Sequence, residues 1–236
     1  MPENARGQRE SIMDTRLYLA DTDALEDGEL FRALCARMPA YRREKIDALR
    51  TEQGKRLSLG AGALLRHALR NAGVPPEAEI AFGEWGKPFL PGYPEVYFSL
   101  SHSGSTAACI IAPYPVGCDA EGVRPELSRA WKQLSERERQ LLESTPEGER
   151  PELFCRIWVL KESLLKAVGT GLTGGLESFS VLPGAGAPEY LPGEFPPGCR
   201  FREWPLAGDV RLACCGETGD ADFSVTPETV ILSEIV

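Results

Sequence analysis

Residues 154–166 read Phe154-Cys155-Arg156-Ile157-Trp158-Val159-Leu160-Lys161-Glu162-Ser163-Leu164-Leu165-Lys166. At 3.6 residues per turn, Leu153, Ile157, Leu160, Leu164 and Val168 fall on one apolar stripe, so 151–168 is a helix with a face in a core. Gly169-Thr170-Gly171-Leu172 stops it, because glycine permits a left-handed exit. Glu162 and Lys166, one turn apart, lie together off that stripe, with Trp158 a turn earlier. Such a couple is either functional or an exposed ion pair worth about 0.2–0.5 kcal/mol.

Working outward from this helix, the pattern is mixed. Leu17–Ala20 reads as a first strand; 25–49 as helix broken by Pro39; 54–72 as a second helix ended by Gly73-Val74-Pro75-Pro76. Strand-like segments follow at Ile80–Phe82, Val96–Ser101, Ala107–Ala112 and Val116–Glu121. Helices near 128–144 and 151–168 precede short strands at Ser178–Leu182, Arg200–Trp204, Val210–Cys214 and Asp222–Val225. Helices and strands thus occur twice in similar order. The expected fold class is α+β, with two similar α+β halves joined near 115–125. Residues 1–12 are expected as a flexible N-terminal segment, 13–115 as one half and 116–236 as the other.

Composition narrows the classes. The chain of 236 residues is 42% apolar and 26% charged, which excludes whole-chain disorder and a fibrous repeat. The longest apolar run, Ala107–Ala112, is far too short to span a bilayer, and residues 1–12 carry no export signal. Seven cysteines without a CxxC pair suggest reduced core thiols in a cytoplasmic protein. A net charge of −9 disfavours broad nucleic-acid binding. The charge is uneven, however. Between Arg37 and Arg56 seven bases (Arg37, Arg42, Arg43, Lys45, Arg50, Lys55, Arg56) face three acids, which suits either a small polyanion or a solvated helix face.

Three further stretches carry chemistry. In Val116-Gly117-Cys118-Asp119-Ala120-Glu121 the two acids are i and i+2 on a strand and share a face, as a magnesium site or a plain surface would have them. Ser99-Leu100-Ser101-His102-Ser103-Gly104 holds one of two histidines in a serine-rich turn, and no GxSxG elbow surrounds it. Gly86-Lys87-Pro88 is a turn that sets a cation before the next strand.

The order GKP, FSLSHSG, GCDAE and WVLKESLLKAVGTGL strongly resembles the 4′-phosphopantetheinyl transferases of the Sfp type, from about residue 14 to the end. The family pattern [FW]-x-x-K-E-[AS]-x-x-K-x-x-G-x-G-L is met at every specified position from Trp158 to Leu172. The resemblance implies a pseudodimer with the active site in the cleft between halves. The implied reaction moves the phosphopantetheine arm from coenzyme A, the co-substrate, onto a serine of an apo acyl or peptidyl carrier protein. It would release adenosine 3′,5′-bisphosphate and serve fatty acid or secondary metabolite biosynthesis. Asp119, Glu121 and Glu162 would bind Mg2+ (or Mn2+) with the pyrophosphate. Glu162, or a magnesium-bound water, would take the proton from the carrier serine, and Lys166 and His102 would meet the leaving charge. Gly86, Lys87, Pro88 and Ser101, with His102, Asp119 and Lys166, would hold the coenzyme. Arg42, Lys45 and Arg56 would grip the 3′-phosphate; Arg56 aligns directly, Arg42 and Lys45 after a one-residue shift.

Ala120 stands where the family commonly has Ile or Val, and Cys118 precedes the acids. The acidic chain should dock carriers through an apolar patch with local bases, around Arg124, Leu127 and Trp131. A monomer is expected, with no nucleic-acid or membrane partner. The rival readings are a non-catalytic coenzyme A- or carrier-binding protein of the same fold, and a structural subunit whose basic segment meets RNA or lipid. The former would follow from loss of Asp119, Glu162 or Lys166, and all three are present. The latter leaves the acids unexplained.

Overall fold

The computed structural model describes residues 13–124, 130–171 and 175–236. Residues 1–12, expected as a flexible segment, lie outside them. The chain opens with β1 (Arg16–Asp21), and the helical stretch that follows is split into α1 (Gly28–Ala36) and α2 (Ala40–Asp47). Pro39 forces the break expected of it, taking φ −62° and ψ 157° as the cap of α2. An earlier restart at Asp27, whose carboxylate accepts from Glu29 N and Leu30 N, starts α1 later than position 25. Next comes α3 (Glu52–Asn71), capped by Thr51, then the hairpin of β2 (Ala81–Phe82) and β3 (Pro88–Phe89). β4 (Tyr97–Ser103), β5 (Thr106–Ala112) and β6 (Val116–Gly122) complete this stretch.

Beyond residue 130 lie α4 (Glu136–Ser144), α5 (Arg150–Val168), β7 (Ser180–Leu182), β8 (Glu189–Leu191), β9 (Cys199–Leu206), β10 (Val210–Glu217) and β11 (Pro227–Thr229). α4 starts at 136 rather than 128 because Ser135 and Glu138 form a reciprocal capping box; 128 and 129 lie outside the described residues. Residues 222–225, expected as a strand, are irregular. The strand is β11 instead, and it runs parallel to β1, pairing Leu17 with Pro227. The chain's end therefore belongs to the first sheet, not to the half that 116–236 was expected to form alone.

Among the described residues the main sheets run β11-β1-β5-β4 and β6-β10-β9. α3 lies on the first, burying Leu64, Leu65, Ala68 and Leu69; α5 lies on the second. The result is a mixed helix-and-sheet fold. α5 departs from the one-stripe expectation: Ile157, Leu160 and Leu164 are buried as expected, but so are Phe154, Cys155, Val159 and Leu165. It is wedged between the sheet on one side and α4 on the other, so two faces are apolar.

The sheets meet where β4 runs beside β6. Ser99 Oγ accepts from Cys118 N at 3.1 Å, and Ser101 Oγ accepts from Ala120 N at 3.0 Å. Serine hydroxyls thus satisfy backbone donors that would otherwise be buried and unpaired. Small residues pack this seam, including Ala108, Ala112, Cys118 and Ala120. Ala120 is 3% exposed, so the branched residue usual in the family is not needed to close it. The cysteines are free thiols, all buried except the half-buried Cys35. Burial pushes the Cys118 thiol up to about 11 and Cys155 up to about 12, the behaviour of packing groups rather than nucleophiles.

Candidate active site

β6 alternates as a strand must. Cys118 and Ala120 enter the seam, while Asp119 and Glu121 face a cleft of about 500 Å3 between the two sheets. α5 presents Glu162 and Lys166 to the same cleft. What holds α5 so close is Gly117, where a Cβ would stand 2.1 Å from Ser163 O and 2.4 Å from Ala167 N.

Lys166 Nζ donates to Asp119 Oδ1 at 2.6 Å and to Ser101 Oγ at 3.2 Å; Ser101 Oγ in turn donates to Asp119 Oδ1 at 3.0 Å. Burial pushes Asp119 up from the ordinary carboxylate range, and Lys166 pulls it back only in part. Burial also opposes the charge on Lys166, but Asp119, Cys118 and Glu162 together offset it and hold the ammonium above its usual value. Glu162 is pushed up to about 7, first by burial and then by the neighbouring Asp119 charge. Its Oε1 is buried without a hydrogen-bond partner. Glu121 Oε1 bonds Arg124 and accepts from Gly122 N at 3.1 Å.

Among the described residues no three His, Cys, Asp or Glu side chains are gathered closely enough to hold a metal ion by themselves. The three carboxylates share the cleft, but Lys166 occupies Asp119 and Arg124 occupies Glu121. The donor chemistry still fits magnesium, which takes one or two carboxylates and completes its shell with phosphate and water. The unpartnered Glu162 oxygen beside the Asp119 carboxylate is where these donors fit such an ion.

Arg42 and Lys45 of α2 also line the cleft. Arg42 is buried, its Nε without a hydrogen-bond partner and its guanidinium 5.7 Å from the Tyr41 ring centre. Arg56, the basic residue that aligned best, is not in the cleft lining. It sits on the face of α3 that meets Glu26, 3.3 Å away. His102 lines the cleft and is held below its usual value by burial and by Lys166, Lys45 and Arg42, so it is neutral at pH 7.

Gly86 takes φ +78° at the tip of the β2–β3 hairpin, which brings Lys87 and Pro88 to the cleft wall. Lys87 reaches across to donate to Ala167 O at 2.5 Å, a cation on the C-terminal end of α5. Burial lowers it to about 8. Gly169 leaves room for it, since a Cβ there would stand 3.0 Å from Lys87 Cδ.

Sequence reasoning missed an aromatic rim. Phe82 and Trp85 line the cleft yet are 56% and 54% exposed, and Tyr41 packs edge-on against Phe82. Exposed aromatics flanking GKP were the available signal. It missed also the buried Glu138–Lys161 pair, signalled by the Ser-x-x-Glu at 135–138. Of the expected docking patch, Arg124 is exposed, Trp131 packs against the α4–α5 cluster, and Leu127 lies outside the described residues. No helix among the described residues is long and apolar enough to cross a membrane.

Residues 115–215 match the 4′-phosphopantetheinyl transferase superfamily. A Bacillus subtilis 4′-phosphopantetheinyl transferase is 32% identical over 204 residues, covering 83% of this chain and 89% of the relative. The 4′-phosphopantetheinyl transferase AcpT of Salmonella typhi is 32% identical over 221 residues, covering 91% and 97%. The crystal structure of Thermotoga maritima holo-[acyl-carrier-protein] synthase is 25% identical, covers 43% of this chain and 61% of that one, and gives a TM-score of 0.37. The chain belongs to the 4′-phosphopantetheinyl transferase family and is an enzyme that transfers the phosphopantetheine group.

Proposed function

We propose that the donor is coenzyme A, that the acceptor is a serine of an apo acyl or peptidyl carrier protein, and that transfer depends on Mg2+. The observation that carries this reading is what one cleft brings together: the carboxyls of Asp119 and Glu162, the cations of Arg42 and Lys45, and the exposed rings of Phe82 and Trp85. A nucleotide bearing a pyrophosphate and a 3′-phosphate has groups complementary to each.

Asp119, Glu121 and Glu162 would hold the metal, whose charge, when bound, offsets that of the pyrophosphate. Arg42 and Lys45 bind the 3′-phosphate, and the rings of Trp85 and Phe82 flank the adenine. The carrier serine Oγ attacks the phosphorus on the pantetheine side. Its P–O bond forms as the bond to the nucleotide phosphate breaks, and Glu162 takes the hydroxyl proton. A carboxyl lifted by burial is suited to that task near neutrality. Lys166 and His102 meet the charge on the departing adenosine 3′,5′-bisphosphate; the approaching polyanion raises His102 and so makes it a better donor.

The test is incubation with coenzyme A, Mg2+ and a panel of apo carriers, read by intact mass. A carrier should gain one phosphopantetheine, none should do so in EDTA, and Glu162→Gln should bind coenzyme A without turnover. Full transfer in EDTA, or by Glu162→Gln, would sink the mechanism.

A further inference from the structure

Glu162 has a demanding position and little of its own to keep it there. Its Oε1 has no hydrogen-bond partner, so its aim is set by the backbone that carries it. A helix lying on a sheet can roll about its axis. Side-chain tips lie about 5–6 Å from that axis, so a roll of roughly 10° moves a tip by about 1 Å. A displacement of that size can cost roughly 10²-fold in rate. Gly117 fixes how close α5 comes to β6, and Lys166 ties one side of the helix to Asp119, but apolar packing against the sheet and α4 resists roll less sharply than directional bonds on the far side would.

The residue next to Glu162 supplies that directional restraint. Lys161 points roughly 100° away around the helix, toward α4 and β7, and is 0% exposed. Its ammonium donates to Glu138 Oε1 and Oε2, both at 2.8 Å, and to Phe179 O at 2.7 Å, and it lies 3.9 Å from the centre of the Phe179 ring. Glu138, also 0% exposed, accepts in addition from Ser135 N and Val181 N, each at 2.8 Å. Ser180 Oγ donates to Ser135 Oγ at 2.8 Å. Both charges are therefore fully bonded, and three segments meet at one point: α4, α5 and the chain entering β7.

Stability alone does not call for this arrangement, because apolar residues of similar volume replace many buried ion pairs at no loss. An apolar contact tolerates sliding; five directional bonds to one carboxylate and one ammonium do not. We infer that the Lys161–Glu138 pair is a positioning device, which fixes the roll of α5 and thereby the placement of Glu162 against the acceptor hydroxyl. The inference rests on the role proposed for Glu162.

The test is the double variant Glu138→Gln with Lys161→Met. Glu138 serves Ser135 N and Val181 N with different oxygens, so the amide keeps one of those two bonds, and no unpaired charge is left behind. The expected result is a folded protein with a lowered melting temperature, unchanged coenzyme A affinity by calorimetry, unchanged KM for coenzyme A, and kcat lower by roughly ten- to a hundred-fold at an assay temperature where the variant is folded. A purely structural pair would lower the melting temperature and leave kcat intact at that temperature. A kcat within twofold of wild type overturns the inference, as does a parallel loss of coenzyme A affinity, which would mean a collapsed cleft. Should the double variant not fold, Glu138→Gln alone, which is isosteric, is read by the same two numbers. Wild-type enzyme is the control: if it transfers nothing, the proposed function fails along with the inference; if it transfers and the variant matches it, only the inference fails.

Discussion

Glu162 carries its carboxyl buried beside the Asp119 charge. Its carboxyl titrates at about 7 in the folded chain against an ordinary 4.5, so the folded state holds the proton more tightly than the unfolded. Between those values stability falls as pH rises, the opposite of a salt-bridged carboxylate. In chelator, Glu162→Gln should therefore melt above wild type at pH 8 and level with it at pH 4, by thermal denaturation. Each kcal/mol relieved is worth about 2–4 °C in a chain of this size, and a rise of that order is expected. Arg42 allows a second test, by substrate choice. A charge-assisted bond to the 3′-phosphate is worth about 1.5–3 kcal/mol, or roughly ten- to a hundred-fold. Arg42→Ala should lose that factor in kcat/KM with coenzyme A and little with dephospho-coenzyme A, whereas Arg56→Ala should change neither. The sequence made Glu162 and Lys166 legible, because helical spacing alone puts them together. It ranked Arg56 above Arg42, whereas the cleft is lined by Arg42, since that depends on which side of its helix each residue occupies once α2 restarts at Pro39 and α3 lies down on its sheet.

Gly117 shows what an element can impose on a single position. α5 rests on β6 there with no side chain between, and an added Cβ would lie 2.1 Å from Ser163 O, which cannot move without taking the helix along. Gly117→Ala should cost about 1–3 kcal/mol or more, by urea unfolding, as overpacking does elsewhere. It should also lower kcat, because the displaced helix carries Glu162 and Lys166. Long periodic elements such as α3 and α5 were readable from their apolar spacing. The two-residue β3 and the three-residue β8 were not, because strands that short carry no period and exist only through their partners. The start of α4 was misread for a different reason: the capping box at Ser135 outweighs the apolar residues ahead of it.

At the scale of the molecule, charge and topology separate. The chain is acidic overall, at −9, yet the cleft concentrates Arg42, Lys45, Lys87 and Lys166 around its wall. Net charge therefore says little about what this surface attracts, while the local surplus around α2 says more. The alternation of helices and strands announced two sheets, but no local pattern could reveal that residues 227–229 leave the second for the first. That pairing depends on an open edge of β1 some two hundred residues earlier in the chain.

The return of β11 to β1 also bears on how the protein is made. β1 leaves the ribosome some two hundred residues ahead of β11, and Val230 and Leu232, which belong to the first core, follow directly after β11. Until then the outer edge of β1 carries unpaired backbone groups, and the core beneath α3 is incomplete. The first sheet therefore stays incomplete until residues 227–232 have been made, although segments of a growing chain commonly fold in order. Its completion is a long-range closure, of the kind whose loop entropy must be met before the contact rewards it.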